Sequence, residues 1–446
     1  MSSRLVPAMT HQETLTVVAS IQPEQMDALR NVLQTIQQNV EHNDLIPFAR
    51  FPQVHFARFV IMESVIDPVG GRAIPAQLAF SSCIDTPLKT YLRSLVETAG
   101  SGLDQVFSHC QGYPSPQQRT PRSRLAYLRR HQKKTQTFYV NTVGRTVQQV
   151  QQEADLRDKI EHFLDHDLPR MSPFDAASVR RAIQNFVKQE PALAWALTPV
   201  ARPGWLWQLQ EKLHFAIGLL LILLLGLLFL PFVPLFIILL RWHEETAPHP
   251  RQNPNFRLSQ FHRLHLAQDE DFLSQNQFTV VGFVKPGWFR LATLRVILEL
   301  ANFVTRHVFN NGDLGTVPLL NLHGVDTIHF ANWVVIDGGR RVLFMSNYDG
   351  NLEDYMNDFI NKVAWGLNII FGHGIDYPKT QWLVKGGARD EQVYKAVLRK
   401  YQIRTQVWYA AYPQLSAINI RNNAEIRAGL FQPLTAAEEQ AWLLRF

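Results

Sequence analysis

The chain has 446 residues, of which 46% are hydrophobic and 18% charged, so it can bury cores of its own and is not an intrinsically disordered protein. Its formal net charge of +6 is a modest excess without a repeated basic stripe, and we expect no nucleic-acid partner. Its two cysteines lack metal-ligand spacing, which predicts no metal site and favours a reducing, cytoplasmic environment.

Two runs in the first half of the chain return in the second half. HFARFV at 55–60 returns as HFANWV at 329–334, and GLDQVFSHCQGYP at 102–114 returns as GLNIIFGHGIDYP at 366–378. Further matches keep the same order with few insertions, which indicates a tandem duplication. In the first copy the hairpin loop (67–75) is longer, and prolines and charges at 114–123 predict a degraded fourth strand.

The second copy shows the order of elements most clearly. It predicts a strand at 278–284, a helix at 289–309, two strands at 328–337 and 341–349 joined by Gly338-Gly339, a helix at 351–371 and a strand at 380–386. The order β-α-β-β-α-β is that of the ferredoxin-like split unit. An extra helix at 390–401, an extra strand at 405–412 and a last helix at 415–429 follow.

These elements predict an α+β fold of two tandem ferredoxin-like repeats. Because helices cover only one face of such a sheet, the two copies can pack sheet against sheet as a pseudo-dimeric α/β barrel. The predicted domains are repeat 1 at 14–157, a helical linker at 158–212, a membrane segment at 213–242, a connector at 243–276 and repeat 2 at 277–446.

The membrane segment contains 26 residues, Phe215 to Leu240, without a polar or charged side chain. As a helix it would span about 39 Å, enough to cross a bilayer core of about 30 Å. A single span, however, would separate the two repeats. Pro231 and Pro234 allow a kinked hairpin anchor instead, with both repeats on one side, which we expect to be the cytoplasmic side.

Candidate functional residues lie where strands begin and end. His329 opens a strand and Asp349 ends one, and Arg341 follows the Gly338-Gly339 turn; these three are the catalytic candidates. Position 58 is arginine whereas its counterpart, position 332, is asparagine. Since functional sites in duplicated folds tend to specialise in one copy, Arg58 and Asn332 are candidates for substrate binding. The more common reading of each catalytic candidate is structural: a satisfied structural group at His329, a turn or capping aspartate at Asp349 and a solvated hairpin end at Arg341.

The tandem ferredoxin-like arrangement resembles the superfamily of dye-decolourising peroxidases and chlorite dismutases. The run SNYDG at 346–350 is similar to the GxxDG motif of the peroxidases but has serine at the first glycine. The resemblance implies a haem held by a histidine, with an aspartate and an arginine assisting peroxide cleavage. His373 and His307 are then alternatives to His329 as haem ligand. The whole chain also resembles bacterial membrane-anchored proteins, a resemblance that implies no activity.

Two functions are therefore expected from the sequence. The first is a membrane-anchored oxidoreductase, haem-dependent and peroxidase-type under that resemblance, acting on a hydrophobic or membrane-derived substrate. The alternative is a non-catalytic module that binds a small apolar ligand, or scaffolds a partner, at the lipid membrane. A catalytic site would bring titratable groups together in the second copy, whereas a binding module would have a roomy apolar cavity.

Overall fold

The structure, a computed structural model, describes residues 9–168, 175–247, 266, 274–312, 314 and 325–446. It has the mixed α+β class that the sequence predicts. Eight strands build the two central sheets: β1 Glu13–Ser20, β2 Val54–Met62, β3 Gln77–Ile84, β4 Thr137–Val140, β5 Gln275–Phe283, β6 Ile328–Ile336, β7 Arg341–Asp349 and β8 Val407–Ala410.

Thirteen α-helices of the described residues flank these sheets or connect them. They are α1 Met26–Gln38, α2 Leu88–Thr98, α3 Gly100–Phe107, α4 Pro121–His131, α5 Val147–His162, α6 Ala176–Gln189, α7 Trp205–Phe229, α8 Val233–Thr246, α9 Trp288–His307, α10 Leu352–Phe371, α11 Glu391–Tyr401, α12 Ala417–Phe431 and α13 Ala436–Leu443.

Each sheet takes three strands from one half of the chain and its fourth from the other half. Sheet 1 has the order β1-β3-β2-β8, and sheet 2 has the order β4-β6-β7-β5, with every pairing antiparallel. Strand β8 therefore leaves the second half to pair with β2, and β4 leaves the first half to pair with β6. The two halves of the chain exchange an edge strand.

The two sheets face each other, but they are not joined into the barrel that the sequence predicts. A cluster of buried apolar side chains from both sheets, including Val60 and Val334, fills part of the space between them. Along the outer edge strands β1 and β5, the described residues show isolated bridges instead of a continuing ladder: Val17 of β1 bridges Gln132 within the first half, and Val280 of β5 bridges Gln402 within the second half. Each bridging glutamine is the C-cap of a helix, α4 or α11, so it contributes one bridge rather than a paired strand.

A turn and a strand predicted in the second half have different outcomes. Gly338 (φ 69°) and Gly339 (φ 101°) form the tight turn between β6 and β7, as predicted. The predicted strand at 380–386 is wrong. That segment forms a small hairpin, Thr380–Gln381 with Lys385–Gly386, because Trp382 and Leu383 adopt positive φ and turn the chain back. The fourth strand of the sheet therefore comes from elsewhere.

The predicted helical linker at 158–212 packs against the C-terminal helices. Ile160, Ile183 and Val187 share a buried cluster with Ile426 of α12 and Trp442 of α13. The longer loop predicted for the first half also contains a small hairpin, Val65–Ile66 with Ala73–Ile74, like the one at 380–386. Most of the predicted connector at 243–276 lies outside the described residues.

Helices α7 and α8 form the membrane segment that the sequence predicts at 213–242, and we call the two helices the apolar segment. With the short 3₁₀ turn Leu230–Phe232 between them, they make one helical stretch from Trp205 to Thr246, the single helix in the described chain that is long and apolar enough to cross a membrane. None of the residues in its most apolar window is buried. The described protein covers this segment only in part, and many of its leucines are more than half exposed.

Candidate functional site

The structure brings two of the three catalytic candidates together. His329 near the start of β6 and Asp349 at the end of β7 lie side by side, with Nε2 of the histidine 2.6 Å from Oδ1 of the aspartate. The other carboxylate oxygen, Oδ2, accepts a hydrogen bond of 2.7 Å from the backbone N–H of Ala417, the first residue of α12. The carboxylate thus both orients the imidazole and stabilises a helix N-terminus.

A second histidine and aspartate lie at the same end of sheet 1. Asp85 accepts a hydrogen bond from the backbone N–H of Val147 at the start of α5, as Asp349 does at α12. His55 is 3.8 Å from Asp85, and its Nδ1 lies 2.7 Å from the hydroxyl of Tyr412 instead. Burial, with a smaller effect of His329, lowers the pKa of His55 to about 3. Burial also raises the pKa of Asp85 to about 7.

Arg341, the third catalytic candidate, is not near His329. It begins β7, whereas Asp349 ends that strand, so about 26 Å of extended chain separates them. Its Nε donates to Asp337 at 2.6 Å and a terminal nitrogen donates to Gln77 at 2.9 Å. These bonds hold the tight turn of the second half against strand β3 of the first half, which is a structural role.

The two candidates for substrate binding, Arg58 and Asn332, both lie buried between the sheets. The Arg58 guanidinium donates across to Thr279 Oγ1 (2.9 Å), the backbone oxygen of Ser346 (2.9 Å) and Asn347 Oδ1 (2.5 Å). Burial lowers its pKa to about 10. Within the described residues, the Asn332 side chain makes only long hydrogen bonds, the shorter of them to Ser81 Oγ at 3.4 Å. With its donors satisfied by the opposite sheet, Arg58 holds the halves together.

The histidines proposed as haem ligands do not fit that group. His329 Nε2 is engaged by Asp349, and His307 Nε2 lies 2.8 Å from Nδ1 of His214. His373 is fully buried and neither ring nitrogen has a partner in the described chain, but the cavity it lines measures about 50 Å³. That space holds one or two water molecules rather than a porphyrin. The residues present therefore support no step through haem.

A larger cavity, which we call the apolar cavity, lies on the outer face of sheet 2 between helices α9 and α10. Its volume is about 400 Å³, within the range of small-molecule sites. The residues of the described wall are apolar except for Thr137, Thr305 and Tyr139. The apolar ones include Ile297, Ala301, Phe309, Val325, Trp333, Phe359, Leu367 and Phe371. Leu300, Val304 and Trp365 line it and are also exposed, so the cavity opens between these three side chains.

The mouth of the apolar cavity belongs to a surface that differs between the two halves. On α9, Val296, Leu300 and Val304 are exposed at intervals of four residues and form an apolar stripe, and Trp365 on α10 is 57% exposed. On α1 and α2, the helices that cover sheet 1, the exposed side chains are polar apart from one alanine. An apolar outer face on one half alone indicates a surface that meets lipid or a partner.

The apolar segment lies beside this same surface. Near its start, Phe215 stacks on Phe303 of α9 with ring centroids 5.7 Å apart. Near its end, Phe236 packs on Phe289 at the opposite end of α9, with centroids 5.4 Å apart. Both ends of the apolar segment therefore contact α9, and the segment runs antiparallel to that helix.

The apolar cavity is not predictable from local sequence patterns, because its described wall is assembled from four separate elements, β4, α9, β6 and α10, and from Phe309 and Val325 between α9 and β6. A usable signal was the exposed stripe of α9, where apolar residues occupy positions outside the face that packs on the sheet. Comparisons with known proteins found no matching family model, no matching curated protein and no matching solved structure. The functional reading therefore depends on the geometry of the molecule itself.

Proposed function

We propose that this protein is a membrane-bound lipid-binding module, in which the apolar cavity takes up the hydrocarbon chain of a lipid from the bilayer. The observation that supports this most is the cavity of about 400 Å³, whose mouth is framed by exposed apolar side chains beside the apolar segment. A chain leaving the bilayer would enter it without crossing water, so transfer would expose little apolar surface.

The position of the apolar segment supports a monotopic anchor. If α7 and α8 crossed the bilayer alone, their two ends would lie on opposite faces. Instead both ends contact α9, a helix that carries Arg290, Arg295, Glu299 and Arg306 and so does not itself suit a hydrocarbon core. We propose that the segment dips into one leaflet with both halves on the same side. The two cysteines, free and buried, are compatible with the cytoplasmic side.

We also propose that the halves are tandem ferredoxin-like copies arranged as a pseudo-dimer with exchanged edge strands. Equivalent backbone hydrogen bonds support this. The bond from Lys133 N to Thr16 O in the first half corresponds to that from Ile403 N to Thr279 O in the second. The bond from Gln136 N to Trp333 O corresponds to that from Gln406 N to Phe59 O. The bond from Gln22 N to His109 O corresponds to that from Lys285 N to His373 O. Such a duplication explains how one copy could keep polar outer helices while the other acquired a lipid-facing surface.

The cavity can be tested at Gly366, which lines it and has open space where a Cβ would be. Gly366→Leu would place a side chain inside the cavity, whereas Gly366→Ala adds only one methyl group. Both changes raise the helix propensity of α10 by a similar amount, so they differ mainly in volume. We expect titration with cis-parinaric acid, a fluorescent fatty acid, to show at least tenfold weaker binding for Gly366→Leu than for Gly366→Ala.

Equal affinity of the two variants for cis-parinaric acid would place the chain outside this cavity. Failure of the unaltered protein to bind the probe in detergent or in vesicles would contradict lipid binding itself. Thermal unfolding of both variants provides the control, because a folded Gly366→Leu protein with lost binding isolates the filling of the cavity.

A further inference from the structure

A group of three basic side chains, Arg290, Lys285 and His373, lies at the N-terminal end of α9, close to the apolar cavity. Arg290 is 1% exposed, and neither terminal nitrogen of its guanidinium has a hydrogen-bond partner in the described part of the chain. Leaving a buried guanidinium without partners is costly, so such a group points to a ligand that completes it.

Two further groups adjoin Arg290. Lys285 donates to the backbone oxygen of Gly372 at 2.9 Å and has no carboxylate partner among the described residues. Burial and the charge of Arg290 lower the pKa of Lys285 to about 7. Burial and the charges of Arg290 and Lys285 lower the pKa of His373 to about 3. His373 is 0% exposed, with both ring nitrogens unpartnered, and lines the cavity of about 50 Å³.

The nearby acidic groups are already engaged. Glu244 of α8 accepts from Thr380 Oγ1 (2.8 Å) and from the backbone N–H of Leu383 (2.9 Å), and it pairs with Arg241. Asp376 accepts from Lys400 and from the hydroxyl of Tyr401. The N-cap residue of α9 is Gly287, so no side chain caps this end of the helix. The positive N-terminal end of the helix dipole therefore adds to the positive potential of Lys285 and Arg290.

The small cavity lined by His373 lies next to the apolar cavity. Leu294, one turn after Arg290, lines the small cavity with His373, and Ile370 and Phe371 line both that cavity and the apolar cavity. From Arg290 to Ala301 in the wall of the apolar cavity is about 16 Å along α9, a span that suits a lipid with its head at one end and its chain at the other. Exposed tryptophans at this corner, Trp242 of α8 and Trp288 (78% exposed) of α9, are typical of the head-group level of a membrane.

We propose that Lys285, Arg290 and the N-terminus of α9 bind the anionic head group of the lipid whose chain occupies the apolar cavity. This inference rests on the proposed function and narrows it to acidic lipids, with a carboxylate or a phosphate at the head. Arg290 can offer two parallel N–H groups to either anion, and Lys285 adds a point charge.

The test compares cis-parinaric acid with its methyl ester on the unaltered protein. The two probes share one chain and differ in the charge of the head, so we expect the acid to bind at least tenfold more tightly than the ester. Equal affinities would overturn the head-group site while leaving the apolar cavity in place. If neither probe bound, the proposed function would fail first.

Variants locate the charge. Arg290→Gln and Lys285→Gln should each weaken binding of the acid by about tenfold and leave the ester unchanged, whereas Arg295→Gln, on the exposed side of the same helix, should change neither. An unchanged preference for the acid in folded Arg290→Gln and Lys285→Gln proteins would overturn the assignment. Displacement by oleic acid or by oleoyl lysophosphatidic acid then separates a carboxylate head from a phosphate head.

Discussion

At the scale of single residues, Arg58 connects the two sheets through one guanidinium. It belongs to β2 of sheet 1, while its close acceptors Thr279, Ser346 and Asn347 belong to sheet 2. Asn332, the matching residue of the second half, contacts Thr14 and Ser81 at 3.4 to 3.5 Å. The difference between the halves at this position therefore reflects how they are joined, and neither side chain is among the described residues that line the apolar cavity.

We expect Arg58→Met to lower the free energy of unfolding by about 3 to 5 kcal/mol, because it leaves several buried acceptors without a donor. Asn332→Ala is the matched control and should cost about 1 kcal/mol or less, since its hydrogen bonds are long. Urea denaturation of the two variants measures both values. Similar losses for the two would contradict the role of Arg58 between the sheets.

Asp85 predicts a pH dependence of stability. Because burial raises its pKa from 3.8 to about 7 in the folded protein, the folded state keeps a proton that the unfolded chain releases across this range. This contribution to stability is fully present below about pH 4 and is lost as the pH rises through 7, with a slope of at most about 1.4 kcal/mol per pH unit.

Asp85→Asn keeps an acceptor for the backbone N–H of Val147 but cannot titrate. We expect the thermal midpoint of this variant to fall less between pH 5 and pH 8 than that of the unaltered protein. Identical pH profiles of the two proteins would show that Asp85 does not hold a proton in the folded state.

The candidate site shows what the sequence could predict at this scale. His329 and Asp349 meet because one opens a strand and the other ends its antiparallel neighbour, so the hairpin brings them together. Arg341 stands at the opposite end of the same predicted strand as Asp349, and strand length alone placed it too far away. The partner of Arg58 was not predictable, because it depends on how two separate sheets stack.

At the scale of elements, the contacts of the apolar segment with α9 distinguish a monotopic anchor from a single membrane span. Bismaleimide cross-linking can test it. In one variant Phe215 and Phe303 are replaced by cysteine, and in another Phe236 and Phe289, so that each pair reports one end of the segment. We expect both pairs to cross-link in membranes, because both ends contact the same helix.

Variants with only one of the two cysteines are the controls, and they also report any reaction of Cys83 and Cys110, which are buried. Cross-linking of one pair without the other would favour a segment that leaves the second half and crosses the bilayer.

The elements also show where prediction from the sequence stops. Alternating and helical patterns predicted the strands and the long helices of the second half, and the Gly338-Gly339 turn, since those depend on local chemistry. The β-branched and aromatic residues of the segment at 380–386 indicate a strand, but positive φ at Trp382 and Leu383 makes the segment a hairpin. The exchange of β4 and β8 between the halves depends on tertiary packing, for which no local pattern exists.

At the scale of the whole molecule, the two halves differ in the polarity of their outer helix faces. The first half covers its sheet with helices whose outer faces are polar, whereas the second half exposes the stripe of Val296, Leu300 and Val304 next to the apolar segment. This arrangement suits a protein that lies with its second half on the membrane and its first half in water. The apolar cavity and the charged end of α9 then face the lipid together.

The central claim is that the apolar cavity holds a lipid chain, and photolabelling in membranes tests it most directly. A fatty acid with a diazirine in the middle of its chain would be added to vesicles containing the protein, irradiated, and the labelled peptides identified by mass spectrometry. We predict labels on the cavity walls of α9 (297–305) and α10 (363–371) and a loss of these labels in Gly366→Leu. Labels confined to 205–246, with both cavity walls unlabelled, would contradict it.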